Sequence, residues 1–543
     1  FQDEDGLPDV LGSRGLGYVY KRHVNPYFSW YNNFLLLTLN KEGSFSLGKR
    51  DTNTAFFGQP KGLSTLFFTE MWERFSYYGM RAILLFYMYY AVTKGGLGMD
   101  QTTAASVMSI YGSLVYLSAL VGGWLSDRVW GSRKTVFYGG VLIMLGHIVL
   151  ALPAGVGALY SSIALIVVGT GLLKPNVSDM VGGLYSVEDR RRDAGFSIFV
   201  FGINLGSFIA PWLVPWAAEG FGFHAFGNEL NFHAGFSLAA IGMFFGLVQY
   251  VLGGKKYLPT SSLEPNDPID RGDLLNIIKW VVIIVVAVAT ILAALAGFGQ
   301  LNVDNVITML TVLAIALPIY YFVMMLRSSK VTKVERSRVK AYIPLFFAAA
   351  IFWGIEESGS VVLALFAEQR TVLHVGNWHF TAANFQSLNP LFIMILTPVF
   401  VWLWEHWKKQ PSAPGKFAAG LVFAGLSYMW MALPGMLYGT SGRVSPFWLV
   451  GSWFIVEIAE MLISPIGLSI TTKLAPNAYR SQMMSMWFMA DATGQAINAQ
   501  IVKFYSTGTE VQYFTVIGLV SVVFGIIMFL LVKKINVLME GVH

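Results

Sequence analysis

The sequence contains no cysteine. That excludes disulfides, thiol nucleophiles and thiolate metal sites, and leaves the compartment open. Charge is scarce as well. Asp, Glu, Lys and Arg make up 13% of the 543 residues, against about 25% in an ordinary soluble domain. A folded chain with so little charge cannot face water on all sides, so its surface must meet lipid. No His-Glu-x-x-His, Gly-x-Ser-x-Gly or metal-ligand cluster occurs. Nothing therefore supports a membrane hydrolase, and the chain reads as a non-enzyme without cofactor or metal.

What is present is apolar: 55% hydrophobic residues, 15% aromatics and 55 glycines, suited to interfacial belts and close helix packing. Apolar stretches of about 20 residues, enough to span a bilayer, recur after residue 60. They lack strand-like alternation, so the backbone must satisfy itself as helices rather than as a barrel. The spans read as 63–91, 103–126, 135–153, 157–184, 193–216 and 232–253. A hairpin follows at 274–297 and 304–327, turned at Gly299-Gln300-Leu301-Asn302. Six more spans lie at 341–368, 382–405, 416–438, 447–472, 479–505 and 511–533. The expected fold is an all-α integral membrane protein of 14 transmembrane helices: two six-helix bundles and an inserted two-helix hairpin. Its divisions are a poorly ordered extension at 1–55, an N-terminal bundle at 56–255, a linker with the hairpin at 256–340, a C-terminal bundle at 341–535 and a tail at 536–543.

Basic residues set the orientation. One set of loops holds Arg128, Arg133, Lys134, Arg190, Arg191, Arg192, Lys255, Lys256, Arg327, Lys330, Lys408, Lys409, Lys473 and Arg480. The opposite set holds Lys94, Arg370 and Arg443. Both termini are therefore expected in the cytoplasm, in a multi-pass protein of the cell membrane. These basic runs are topology signals, with no nucleic-acid partner implied.

Ionisable residues inside spans are costly and point to function. The first span holds Glu70, Glu73, Arg74 and Arg81, the fourth Lys174, the seventh Glu356 and Glu357, the tenth Glu457 and Glu460, and the eleventh Asp491. Glu70, Glu73 and Arg74 are three and four residues apart and share a helix face. Arg81, seven on from Arg74, continues that stripe beside Tyr77 and Tyr78. Two carboxylates against Arg74 call for a second cation, and Lys174 is the candidate. Buried pairs often stabilise no better than apolar packing, so these ten residues favour a working role. Burial disfavours an ionised carboxyl and a nearby cation favours it. A contact made in one conformation and broken in another would link proton binding to conformation. Asp491 fits either that scheme or a local hydrogen-bond network. His147, flanked by apolar residues, reads as a satisfied core histidine.

Two motifs add a resemblance. Gly123-Trp124-Leu125-Ser126-Asp127-Arg128-Val129-Trp130-Gly131-Ser132-Arg133-Lys134 resembles the loop signature of the major facilitator superfamily, in which the Asp and Arg latch cytoplasmic helix ends. Glu70-Met71-Trp72-Glu73-Arg74-Phe75-Ser76-Tyr77-Tyr78-Gly79 resembles the E-x-x-E-R-F-x-Y-Y-G signature of the proton-coupled oligopeptide transporter family. Gly171-Leu172-Leu173-Lys174-Pro175-Asn176, Asp189 to Ser197 and Phe199 to Gly206 match that family in order, and the likeness runs from residue 58 to about 535.

The resemblance implies proton-coupled uptake of di- and tripeptides by a monomer using alternating access, driven by the proton gradient. By it, Glu70, Glu73, Arg74, Lys174 and Glu357 couple protons, with Glu357 exchanging between a proton and Arg81. Arg81 and Lys174 hold the peptide carboxylate, and Glu460, with Ser464 one turn on, receives the amino terminus. Asn176, Asn204 and Asn389 bond the peptide backbone. Tyr77, Tyr78, Tyr116, Trp353 and Trp487 line the pocket, and Asp127 and Arg128 form a cytoplasmic gate. A zwitterionic peptide needs a cation and an anion at fixed separation, and Arg81 and Lys174 in one half with Glu460 in the other supply them. The alternative is another small solute on the same fold, nitrate or a peptide-like drug. Nitrate-transporting relatives use a seventh-span histidine, and residues 341–368 contain none. A non-transporting sensor would have lost part of the charge set, which is complete here.

Overall fold

The computed structural model describes residues 56–186, 189, 191–220, 230–265 and 267–542. The expected extension at 1–55, and Arg190 in the basic loop, lie outside them. The N-terminal half comprises α1 (Lys61–Tyr89), α2 (Gln101–Leu125), α3 (Ser132–Ala151), α4 (Gly155–Gly182), α5 (Arg192–Ala218) and α6 (Phe232–Tyr257). The hairpin is α7 (Arg271–Gly297) and α8 (Val303–Arg327). The C-terminal half comprises α9 (Lys333–Glu356), α10 (Val362–Arg370), α11 (Leu388–His406), α12 (Ala413–Tyr438), α13 (Phe447–Leu474), α14 (Arg480–Ile501) and α15 (Glu510–Leu538). A two-stranded antiparallel ribbon, β1 (His374–Val375) with β2 (Trp378–His379), follows α10.

With α9 and α10 counted as one interrupted span, twelve spans among the described residues are long and apolar enough to cross a membrane. The other two, α1 and α14, fall outside that set because each carries polar and charged residues. Both are enclosed by neighbours, so their polar faces look inward. The spans expected from hydropathy all appear, with three adjustments. First, α9 begins at Lys333, eight residues early, because Thr332 and Glu335 form a reciprocal capping box that satisfies the first free backbone donors. Second, α15 runs to Leu538, into the expected tail. Third, the seventh span breaks. α9 ends at Glu356, a tight turn covers Glu357–Ser360, and Val361 is non-helical before α10 resumes. At Gly359 a Cβ would lie 2.0 Å from the Trp453 ring, so only glycine fits this turn. The break sends the adjacent carboxyls of Glu356 and Glu357 in different directions.

The charged turn of α1 is pressed against α5 at Gly206, where a Cβ would come within 2.2 Å of the Met71 carbonyl oxygen. Small residues permit such close approach of spanning helices. The hairpin is asymmetric. The apolar segment Ile278–Gly297 of α7 is not buried by protein, whereas α8 docks on α14. Thr311 donates to the Ala496 carbonyl at 3.1 Å, Thr493 donates to the Ala314 carbonyl at 3.0 Å, and Lys503 pairs with Asp304 at 3.2 Å.

The two halves are joined from the middle of the spans to the end that carries the β-ribbon. Arg81 reaches Glu357, Ser113 donates to the Ala492 carbonyl, Gln369 donates to Gln101, Asn384 donates to the Pro211 carbonyl, and Ser387 donates to the Phe208 carbonyl. Trp212 and Trp378 stack 5.7 Å apart at the same end. That end is thus closed.

Candidate functional site

Glu70, Glu73 and Arg74 are all buried on α1. Arg74 Nε lies 3.2 Å from Glu70 Oε1 and also pairs with Glu73 Oε2. Among the described residues the triad leaves Glu70 Oε2, Glu73 Oε1 and Arg74 Nη2 without hydrogen-bond partners. Two carboxyls thus share a single guanidinium, and each keeps one bare oxygen in a buried place. Unpaired buried polar atoms are costly, so the triad carries polar capacity that its own members do not satisfy.

The expected Lys174 partnership takes a different form. Among the described residues Lys174 makes no ion pair; its Nζ sits 3.9 Å from the centre of the Tyr116 ring. Helix spacing identifies neighbours along α1 but cannot fix the reach of a side chain arriving from α4. There the ring face offers the ammonium a cation–π contact. Close packing aims Lys174 here, since Gly122 of α2 lies against the Gly171 carbonyl of α4, with a would-be Cβ at 1.9 Å.

Two turns beyond the triad the arrangement crosses between halves. Arg81 Nη2 bonds Glu357 Oε2 at 2.5 Å, with Arg81 4% exposed. Its guanidinium and that of Arg74 flank the Tyr77 ring at 5.9 and 5.2 Å, and Tyr78 packs edge-on to Tyr77. The pairing of Glu357 with Arg81 is the contact the sequence anticipated. Trp353 and Trp487 meet at 6.3 Å from α9 and α14, and Trp353 Nε1 is buried without a partner.

The asparagines divide. Asn176 is spent within its half, donating to the Leu172 carbonyl at 2.7 Å and the Gly122 carbonyl at 3.1 Å. Asn204 donates to the Val200 carbonyl at 3.0 Å on its own helix. Asn389 donates to Glu356 Oε1 and to Glu457 Oε1, each at 2.7 Å. Asn176 and Asn389 thus have both amide hydrogens taken and would have to let go of a partner to donate to a ligand backbone, whereas Asn204 uses one of its two. Glu460 is half-buried on α13, with Ser464 one turn on. Asp491 accepts from Gln495 at 2.7 Å, which fits the local-network reading. His147 is fully buried, yet among the described residues neither ring nitrogen has a hydrogen-bond partner, so it is not the satisfied core histidine expected.

Just past the C-terminal end of α2, Arg128 pairs with Asp267 of the linker. The linker backbone joins the same loop, Asp267 N–H donating to the Asp127 carbonyl at 3.0 Å and Ile269 N–H to the Arg128 carbonyl at 3.1 Å. The gate candidates thus hold the linker to the N-terminal half.

Two features escaped the sequence. Arg370, counted among outer loop charges, is 1% exposed and forms a bidentate pair with Glu510, at 2.9 and 3.0 Å from Nε and 2.9 Å from Nη2, while Nη2 also donates to the Gly439 carbonyl at 2.6 Å. The Glu356–Asn389–Glu457 bridge was also unforeseen, because its members come from three separate helices.

Comparison with known proteins agrees with this geometry. The model of the POT family matches residues 133–520. The di-/tripeptide transporter of Lactococcus lactis subsp. lactis (strain IL1403) is 48% identical over 500 residues, covering 91% of this chain and 99% of that protein. The di-/tripeptide transporter of Lactobacillus helveticus is 92% identical over 256 residues, 47% of this chain and 52% of that one. A crystal structure of the peptide transporter POT in complex with sulfate superposes with a TM-score of 0.85 at 54% identity, covering 90% of this chain and 97% of the other. With the charged first helix, the interrupted seventh span and the paired bundles in place, the chain belongs to the POT family of membrane transporters.

Proposed function

We propose that this protein carries di- and tripeptides into the cell together with protons, by alternating exposure of a central site. The observation that carries the reading is the placement of opposite charges on the two halves. Arg81 and Lys174 project from the N-terminal half, and Glu460 projects from the C-terminal half. A short peptide carries a carboxylate at one end and an ammonium group at the other, and a guanidinium fork suits the carboxylate. A ligand bridging the halves binds best when they close around it, so it shifts the population toward the closed state. Relatives named di-/tripeptide transporters support the substrate class.

The Arg81–Glu357 pair supplies the link to protons. A proton on Glu357 removes the anion that holds Arg81, and freed Arg81 is then available to the peptide carboxylate. Deprotonation restores the pair and expels the carboxylate. The Glu70–Glu73–Arg74 triad works beside it, with Lys174 its partner in another conformation. The gradient supplies the drive, and no cofactor is needed. The bias of Lys and Arg toward one set of loops supports cytoplasmic termini.

The deciding experiment is uptake of labelled dialanine into liposomes containing the purified protein, with an inward proton gradient. Accumulation above equilibrium that collapses on dissipating the gradient is expected. A well-folded sample that equilibrates dialanine without concentrating it would sink the symport reading.

A further inference from the structure

Glu356 at the end of α9 and Glu457 and Glu460 on α13 each bring one carboxyl oxygen within 4.8 Å of the others. Glu457 is 0% and Glu356 8% exposed. Asn389 of α11 spans these two, one amide hydrogen to each, so its NH2 group is fully used. The groups facing them are Glu357 from the turn after α9, Glu460 from α13, Asp491 from α14, Tyr428 from α12 and Arg81 from α1. The one cation in that set, Arg81, is paired with Glu357. Among the described residues no Lys, Arg or His pairs with Glu356, Glu457 or Glu460.

A second observation bears on the same place. Among the described residues no donor reaches the buried Glu457 Oε2. An ionised carboxylate can only accept. Left ionised, Glu457 would have an acceptor oxygen with no donor, beside other carboxylates and away from water, which is unfavourable on both counts. A proton on Glu457 converts that orphaned acceptor into a donor with Glu460 as its nearby acceptor.

We infer that Glu356 and Glu457, bridged by Asn389, form a proton-holding pair in the C-terminal half, separate from the α1 triad, and that this pair leaves Glu460 to present the negative charge to a substrate ammonium group. The last clause rests on the function proposed above; the proton-holding pair does not. With the pair protonated, one anion meets one ammonium. With all three carboxyls ionised, the same space would favour a multiply charged cation.

Infrared difference spectroscopy of the full-length protein in lipid tests this, because protonated and ionised carboxyls absorb at separate frequencies. At neutral pH, Glu457→Gln and Glu356→Gln should each delete or shift a carboxylic-acid band present in the unmodified protein. Glu457→Asp should move the band and retain it, which a merely structural change would not do. Adding dialanine should perturb the band, and N-acetyl-dialanine, which lacks the ammonium, should not. Identical acid bands in the unmodified protein and both Gln variants would overturn the pair. Equal responses to the two peptides would overturn its link to Glu460. Failure of dialanine uptake with the band intact would count against the proposed function and leave the pair standing.

Discussion

Two buried arginine–glutamate pairs in this protein share their chemistry and differ in what they join. Arg81–Glu357 runs from α1 in one half to the turn after α9 in the other, through a single contact at 2.5 Å, and Arg81 Nε lacks a partner. Arg370–Glu510 stays inside the C-terminal half, between the end of α10 and the start of α15, with a two-nitrogen grip and an added bond to the Gly439 carbonyl. Removing one partner of a buried pair leaves a stranded charge. Where the two elements belong to one packed body, that charge can reach water only if the body unfolds. Where they belong to two halves that separate, as in the alternating access proposed above, that movement itself hydrates the charge. On that reading the same pair is a strut in one place and a switch in the other, and the elements it connects decide which.

The largest expected effect tests the strut. Glu510→Ala should lower stability by about 3–5 kcal/mol, read as a fall in Tm of the purified protein in detergent. A Tm close to the unmodified value would break the comparison at once. Glu357→Gln strands Arg81 in the same way, yet its thermal cost should be clearly smaller than that of Glu510→Ala. Its main effect should be on coupling, with gradient-driven uptake down about tenfold or more, equivalent to about 1.4 kcal/mol, while peptide counterflow persists. Equal Tm losses in the two variants would mean that Arg81–Glu357 is also a strut. Next come Glu70→Gln, Glu73→Gln and Lys174→Ala, which should abolish accumulation against a gradient and keep some counterflow. Variants that still concentrate peptide would remove the triad and Lys174 from proton coupling.

How far the sequence anticipated all this follows from the distance over which each feature is encoded. The α1 triad was legible because its members are three and four residues apart and any helix brings them together. The spans were legible because hydrocarbon demands long apolar segments. The break after Glu356 was not, since Ser358-Gly359-Ser360 is also a sequence that spanning helices tolerate, and only the Trp453 ring against Gly359 shows why the turn forms. Arg370 looked like a loop charge because it ends a span, and its partner Glu510 is 140 residues away. Lys174 was expected against the α1 carboxylates and lies instead over the Tyr116 ring, because helical periodicity reports direction and not the reach of a long side chain. Asn389 was assigned to a ligand backbone, while its two hydrogens are taken by carboxyls from α9 and α13.

The smallest effect sharpens the comparison by removing charge from it. Gln369 donates to Gln101 at 2.7 Å, joining α10 to the start of α2 across the closed end. This contact crosses the same boundary as Arg81–Glu357 but is neutral, so losing it strands no charge. A neutral hydrogen bond contributes about 0.5–1.5 kcal/mol net. Gln101→Ala should therefore cost little in Tm and should move the balance between closed and open forms of that end by roughly 2- to 12-fold, the range set by that energy. Distances between spin labels placed on the N-terminal ends of α2 and α11 would report the shift, with a longer-distance population growing in the variant. If boundary-crossing contacts act on conformation and contacts within a half act on stability, Gln101→Ala should change the distance distribution and leave Tm nearly still. A fall in Tm with an unchanged distribution would show that these contacts belong to the folded core, and the distinction between switch and strut would then rest on charge alone.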